Sequence, residues 1–297
     1  MMIREPVVAG RFYPSDPDRC RVELLSLLDA ADADHVANVS LPLGEHRFGG
    51  LVPHAGWAYS GAVAARVFKA LAARSAPSVV ILFGGVHRYR GREAALFGQG
   101  RWQTPLGPMQ IESRLAERIL GHTNLIVEDP YAHEDEHSIE VQVPFIKHLF
   151  PDANIIPIMV PCVKSAPEIG EAVARTLQAY DYDALIVGTT DLTHYGPHYG
   201  FIPVGVGAEA NAWAKNVNDR RFIDLACRLR SEELVVEASA HKNACSSGAA
   251  AATIAAVTAL GATEGVLLAH TSSSEVVAGR TMEEVSDSVG YAGIVFK

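Results

Sequence analysis

At 297 residues, with 48% hydrophobic and 20% charged residues, the chain has the composition of an ordinary globular protein and the length to bury a large core. A formal net charge of −9 and the lack of any basic run exclude a phosphate-binding surface built from clustered Lys and Arg, and with it a nucleic-acid partner. No stretch reaches the roughly 18 apolar residues of a membrane-spanning helix, and the N-terminal "MMIREPVVAGRFYPSDP" lacks the apolar run of a signal peptide, so the expectation is a cytoplasmic protein with no membrane partner.

The first buried strand expected along the chain is "GGLV", followed at once by Pro53 and His54. A helix over 61–73 follows, with Val63, Val67 and Leu71 on one stripe. "SVVILFGG" (78–85) is the next strand, and "WQTPLGPMQIE" (102–112) reads as a loop entering an edge strand. Over 137–150 a helical stripe runs through Ile139, Val143, Ile146 and Phe150, with Pro144 either kinking the helix or marking its first turn. Strands are then expected at 153–160, 183–190 and 264–270, and helices at 166–180 and 246–260, the last with Gly261 as C-cap. Strands alternating with helices predict one α/β domain over 1–297, three-layered, with a mainly parallel central sheet flanked by helices.

Three histidines follow apolar strands: His54 after "GGLV", His87 after "SVVILFGGV" and His194 after "ALIVGTTDLT". Ligands of open α/β sheets bind outside the carboxyl ends of strands, so the three imidazoles are candidates for one crevice, as metal ligands or as an acid/base. His270 fits the same pattern, with nothing else to recommend it. Asp191, three residues before His194, is a candidate to orient an imidazole. Cys245, just ahead of the alanine-rich helix, is placed where the helix dipole favours a thiolate. Cys20, Cys162 and Cys227 lie in helical or strand patterns and read as core; no CxxC spacing occurs.

"HEDEHSIEVQVPF" (133–145) crowds acids and two histidines ahead of a helix. Compensation of the helix dipole accounts for them structurally; the functional alternative turns His137 or a carboxylate such as Glu136 into the crevice as a substrate contact. The chain contains no GxGxxG, GxxxxGK[ST], GxSxG or HExxH, so nucleotide, phosphoryl-transfer, α/β-hydrolase and zincin chemistries lack their motifs.

Taken in order, "REPVVAGRFYPSDP", "GLVPHAGWAYSG", "LFGGVHRYRG", "TPLGPMQIE", "EDEHSIEVQVPF", "TTDLTHYG" and "NACSSGAAAA" resemble the Memo family, whose prokaryotic members are called AmmeMemoRadiSam system protein B. The resemblance implies a fold like that of class III extradiol ring-cleaving dioxygenases and a non-haem iron site. On that basis His54, His87 and Cys245 would ligate the metal, and His194 would be the acid/base with Asp191 beside it. Fe(II) is the cofactor implied, with Cu or Zn as alternatives that the soft thiolate favours. The function implied is that of a metal-dependent, dioxygenase-like oxidoreductase acting on a small-molecule or peptide substrate, with a functional link to a radical-SAM protein. Two other functions stay open: a non-catalytic peptide-binding module, and a cysteine-dependent hydrolase with Cys245 as nucleophile and His194 as base.

Overall fold

The structure, a computed structural model, describes residues 2–33, 48–73, 76–89, 91–278 and 286–297. Its strands are β1 (Ile3–Arg4), β2 (Gly49–Val52), β3 (Val79–Gly84), β4 (Ala94–Leu96), β5 (Arg101–Trp102), β6 (Met109–Gln110), β7 (Ile126–Glu128), β8 (Asn154–Met159), β9 (Ala184–Thr189), β10 (His194–Tyr195), β11 (Gly265–Ser272) and β12 (Ser288–Phe296). The helices are α1 (Pro17–Ala33), α2 (Trp57–Ala72), α3 (Ser113–His122), α4 (Val143–Leu149), α5 (Ala166–Ala179), α6 (Ala208–Trp213), α7 (Arg220–Cys227), α8 (Ser231–His241), α9 (Ser247–Leu260) and α10 (Ser273–Ala278).

The large sheet runs β10-β12-β2-β9-β3-β8-β4-β7, with β11 on β12. Its centre, β2-β9-β3-β8, is parallel, in register from Gly49 opposite Ile186 to Val52 opposite Thr189 and from Val79 opposite Ala184 to Phe83 opposite Gly188. Every residue of β2 and β3 is buried, which is why these strands read as unbroken apolar runs without alternation. Successive residues nonetheless face opposite layers. A side chain at Gly50 would strike Val67 of α2, whereas one at Gly188 would strike Thr253 of α9. Helices thus cover both faces, and the architecture is the three-layer α/β arrangement expected. α9 is alanine-rich because it is packed on all sides: at Gly170, α5 approaches the Ala252 backbone so closely that no Cβ would fit.

Several local expectations change. The stretch 264–270 is not a buried parallel strand: β11 is antiparallel to β12 and only partly buried. Strand β12, which pairs with β2, β10 and β11, was not anticipated. The helix expected over 137–150 is a 3₁₀ turn at Glu140–Gln142 followed by α4, whose first turn contains Pro144. The loop over 102–112 enters an edge strand as expected, but that strand, β6, belongs to a small separate sheet, β1-β5-β6. Cys20 is buried as expected, but Cys162 is exposed and Cys227 only partly buried.

Candidate metal centre

The C-terminal ends of β2, β9 and β3 open on the same side, because the three strands are parallel neighbours. Two residues beyond β2 stands His54, three beyond β3 stands His87, and two beyond β9 stands Asp191. Gly85 brings the N-terminus of α9 to the same point: a Cβ there would overlap the Ser246 hydroxyl, so only glycine lets the Cys245–Ser246 segment close against the end of β3.

His54 is 1% exposed, so both ring nitrogens need partners within the protein. Its Nδ1 lies 3.1 Å from Thr189 Oγ1 and its Nε2 3.2 Å from Cys245 Sγ. The His54 N–H donates to Asp191 Oδ1 at 2.7 Å. Cys245 is tied in turn to Asp191, whose N–H donates to Sγ at 3.3 Å and whose carbonyl accepts the Cys245 N–H at 3.1 Å.

Glu136 is the residue whose role the sequence did not disclose. It is buried behind His87, away from the cavity lining, where its carboxylate meets His87 Nδ1 at 2.9 Å and accepts the N–H groups of His87, His137 and Ser138 at 2.9, 2.9 and 2.8 Å. Burial alone would raise its pKa, but the hydrogen bonds and charge of His87 and the two neighbouring N–H groups hold it well below the usual carboxylate range. With Nδ1 engaged by Glu136, His87 presents Nε2 to the crevice; His54, engaged by Thr189, does the same. Glu140 is buried too: it accepts from Arg4 at 2.8 Å, from the N–H groups of Val7 and Val8 and from the Tyr13 hydroxyl, each at 2.9 Å. Helix-dipole compensation therefore does not explain these two glutamates. Glu140 instead anchors the N-terminal segment and sets Phe12 edge-on to His137, with ring centroids 4.9 Å apart.

Beside the residues implied by resemblance, the structure brings a third imidazole, that of His137, to the same point. His54, His87 and His137 offer ligand atoms that all lie within 4.8 Å of one another. The His87 and His137 rings stack at 4.6 Å, and His54 stands edge-on to both, at 5.3 and 5.6 Å. Cys245 lies beside this group, against His54. Burial pushes the His87 pKa down, but hydrogen bonds to Cys245 and Glu136 outweigh it and leave it at about 9. Burial and the other two imidazoles bring His137 to about 4. One imidazole of the group thus holds a proton while its neighbour cannot.

His194 lines the same cavity. Its Nδ1–H donates to the Leu192 carbonyl at 3.1 Å, and burial keeps its pKa below the ordinary histidine value, despite Asp191 and that carbonyl, so Nε2 is an unprotonated base at neutral pH. The cavity, of about 480 Å³, is lined by His54, His87, His137, Asp191 and His194, with Phe12, Tyr59, Tyr199 and Tyr291 as aromatic walls. Phe12 and Tyr59 stand in the conspicuous stretches "GRFYP" and "GWAYSG", whereas Tyr291 lies on the strand that sequence reading passed over. His270 takes no part, since its Nε2 is paired with buried Asp219 at 3.0 Å. Among the described residues no helix is long and apolar enough to cross a membrane.

Fold and site define a three-layer α/β protein with an imidazole-rich crevice at the carboxyl ends of its central strands. The chain belongs to the Memo family: the family described as "Memo-like protein" matches residues 4–295. The MEMO1 family protein MK0963 of Methanopyrus kandleri is 34% identical over 305 residues, covering 100% of this chain and 99% of that one. The MEMO1 family protein MTH_45 of Methanothermobacter thermautotrophicus is 35% identical over 297 residues, covering 98% and 99%. The crystal structure of uncharacterized protein JW3007 from Escherichia coli K12 shares the fold, with a TM-score of 0.53 at 10% identity, over 85% of this chain and 100% of that one.

Proposed function

We propose that this Memo family protein is a metal-dependent oxidoreductase of the dioxygenase-like type, acting on a small molecule in the crevice. The observation that carries the reading is the convergence of His54, His87 and His137 with ligand atoms within 4.8 Å of one another. The donor set suits Fe(II), Cu or Zn, because imidazole and thiolate are borderline-to-soft ligands. Two further features fit a bound dication. Glu136 and Thr189 engage the rear nitrogens of His87 and His54, as partners of metal-bound histidines do. Moreover, the buried Glu136 carboxylate sets negative charge directly behind the His87 ring, where it offsets the charge of a dication.

His54 and His87 would hold the metal through Nε2, with His137 or Cys245 completing the set. Iron at this position would supply O₂ activation and one-electron chemistry. His194, neutral and with Nε2 free, would take a proton from a substrate hydroxyl within reach of that atom. Asp191 ties the His54 and Cys245 loops together, and Phe12, Tyr59, Tyr199 and Tyr291 enclose the substrate and limit water.

Elemental analysis of untagged protein purified without oxygen tests this reading. About one metal per chain in the wild type, lost in His87→Ala, is the expected result. A wild type that stays metal-free after incubation with Fe(II), Cu(I) and Zn(II) overturns it. One contact supports a second reading, a cysteine-dependent hydrolase: Cys245 Sγ is 3.2 Å from His54 Nε2, so the paired base would be His54 in place of His194. Faster alkylation of Cys245 than of exposed Cys162, unaffected by added metal, would favour it.

A further inference from the structure

The walls of the crevice carry a charge that selects among ligands. Among the described residues that line it, the ionisable side chains other than histidines and tyrosines are Asp191 and Asp287, and no Lys or Arg is present. Asp191 is 5% exposed and committed to the His54 N–H. Asp287 is half-buried and stands immediately before β12, where Ser288 and Val289 pair with Tyr195 and His194. Its Oδ1 accepts the His198 N–H at 2.9 Å, and its Oδ2 has, among the described residues, the Ser286 hydroxyl at 3.5 Å. Those donors are uncharged, and among the described residues no Lys or Arg pairs with the carboxylate. Tyr199 registers the field: burial first, then Asp287 and Asp191, push its phenol above the ordinary value. Beside it the rings of Phe12, Tyr59 and Tyr291 offer faces that attract a flat apolar body and, at their π-surfaces, a cation.

We infer that the ligand of this crevice is a small aromatic molecule bearing a protonated amine, with its ring between Phe12 and the tyrosines and its ammonium group at Asp287. A ligand with a carboxylate or phosphate at that wall meets the Asp287 charge and is disfavoured there. This inference rests on the crevice being the substrate site proposed above, and it assigns Asp287 as the residue that sets specificity.

Three probes with one phenol ring separate the possibilities: tyramine (cationic), 4-ethylphenol (neutral) and 4-hydroxyphenylacetate (anionic). Each is titrated by ligand-observed NMR at low salt into the metal-free protein and into the protein loaded with Zn(II). Tyramine is expected to bind roughly tenfold more tightly than 4-ethylphenol, and 4-hydroxyphenylacetate more weakly than either, as for a partly desolvated ion pair. Asp287→Asn keeps an oxygen for the His198 N–H, so the loop is retained, and should bring tyramine and 4-ethylphenol to equal affinity. Equal affinities in the wild type, preference for the anion, a cation preference that survives Asp287→Asn, or no binding by any probe would each overturn the inference. The order in metal-free protein bears on the ligand class alone: it stands even if no metal binds. Metal-loaded protein that fails to rank the probes sinks the ligand class and leaves the metal reading intact.

Discussion

Replacing Glu136 by glutamine isolates the role of the carboxylate behind the cluster. In the wild type one carboxylate serves the His87 ring and the backbone N–H groups of His87, His137 and Ser138 at 2.8–2.9 Å. Glutamine can leave an oxygen for His137 and Ser138, but its NH₂ then faces the His87 N–H, donor against donor, and the charge that holds the His87 ring is gone. An unsatisfied buried donor costs about 1–3 kcal/mol. Changes at such outer partners of a metal-bound histidine typically weaken metal affinity roughly 10- to 100-fold, which corresponds to about 1.4–2.8 kcal/mol and agrees with that cost. Competition for Zn(II) against a chromophoric chelator reads the affinity, urea melts read the stability, and NMR titration reads the His87 pKa, which should fall from about 9. If affinity and His87 titration are both unchanged while stability drops, Glu136 braces the loop and does not tune His87 as a ligand.

Cysteine labelling at pH 8 should modify exposed Cys162 first and spare Cys20 and Cys227, whose thiols burial pushes up to about 12 and about 11. Cys245 should label in metal-free protein and become protected by metal; mass spectrometry showing no protection would remove it from the ligand set. Buried His133 titrates at about 3 instead of 6.5, because burial and the Arg4 charge oppose its protonation. The unfolded chain therefore binds its proton first: the stability is fully present above about pH 6.5 and is lost as pH falls toward 3, by up to about 1.4 kcal/mol per unit. His133→Gln, which can still donate to the Ala95 carbonyl, should flatten urea-measured stability between pH 6.5 and 4; an unchanged slope would show that other groups control it.

Much of the centre was legible from residues alone. His54, His87, Asp191 and His194 each follow a run of Val, Ile and Leu, and such runs become parallel strands whose carboxyl ends must lie on one side. His137 and Glu136 were visible as candidates, but not in their roles. Both sit in a stretch of charged residues that also makes sense as a solvated helix start, and local pattern does not distinguish an acid facing water from one buried against an imidazole 49 residues away in the chain. β12 escaped because "SVGYAGIVF" follows no helix–strand alternation, and with it went Tyr291 and Asp287, two walls of the crevice.

Hydrophobic runs and their alternation with helical stripes, which depend on burial and backbone period alone, determined the layered α/β class and the side of the sheet that carries chemistry. Tertiary structure decided which side chains share that side. It placed His137 with His54 and His87, set Glu136 behind His87, and left Cys245 in contact with His54. Those are contacts between groups far apart in sequence, and their energies depend on distance, on desolvation and on which nitrogen of an imidazole is engaged, none of which is written in the order of residues along the chain.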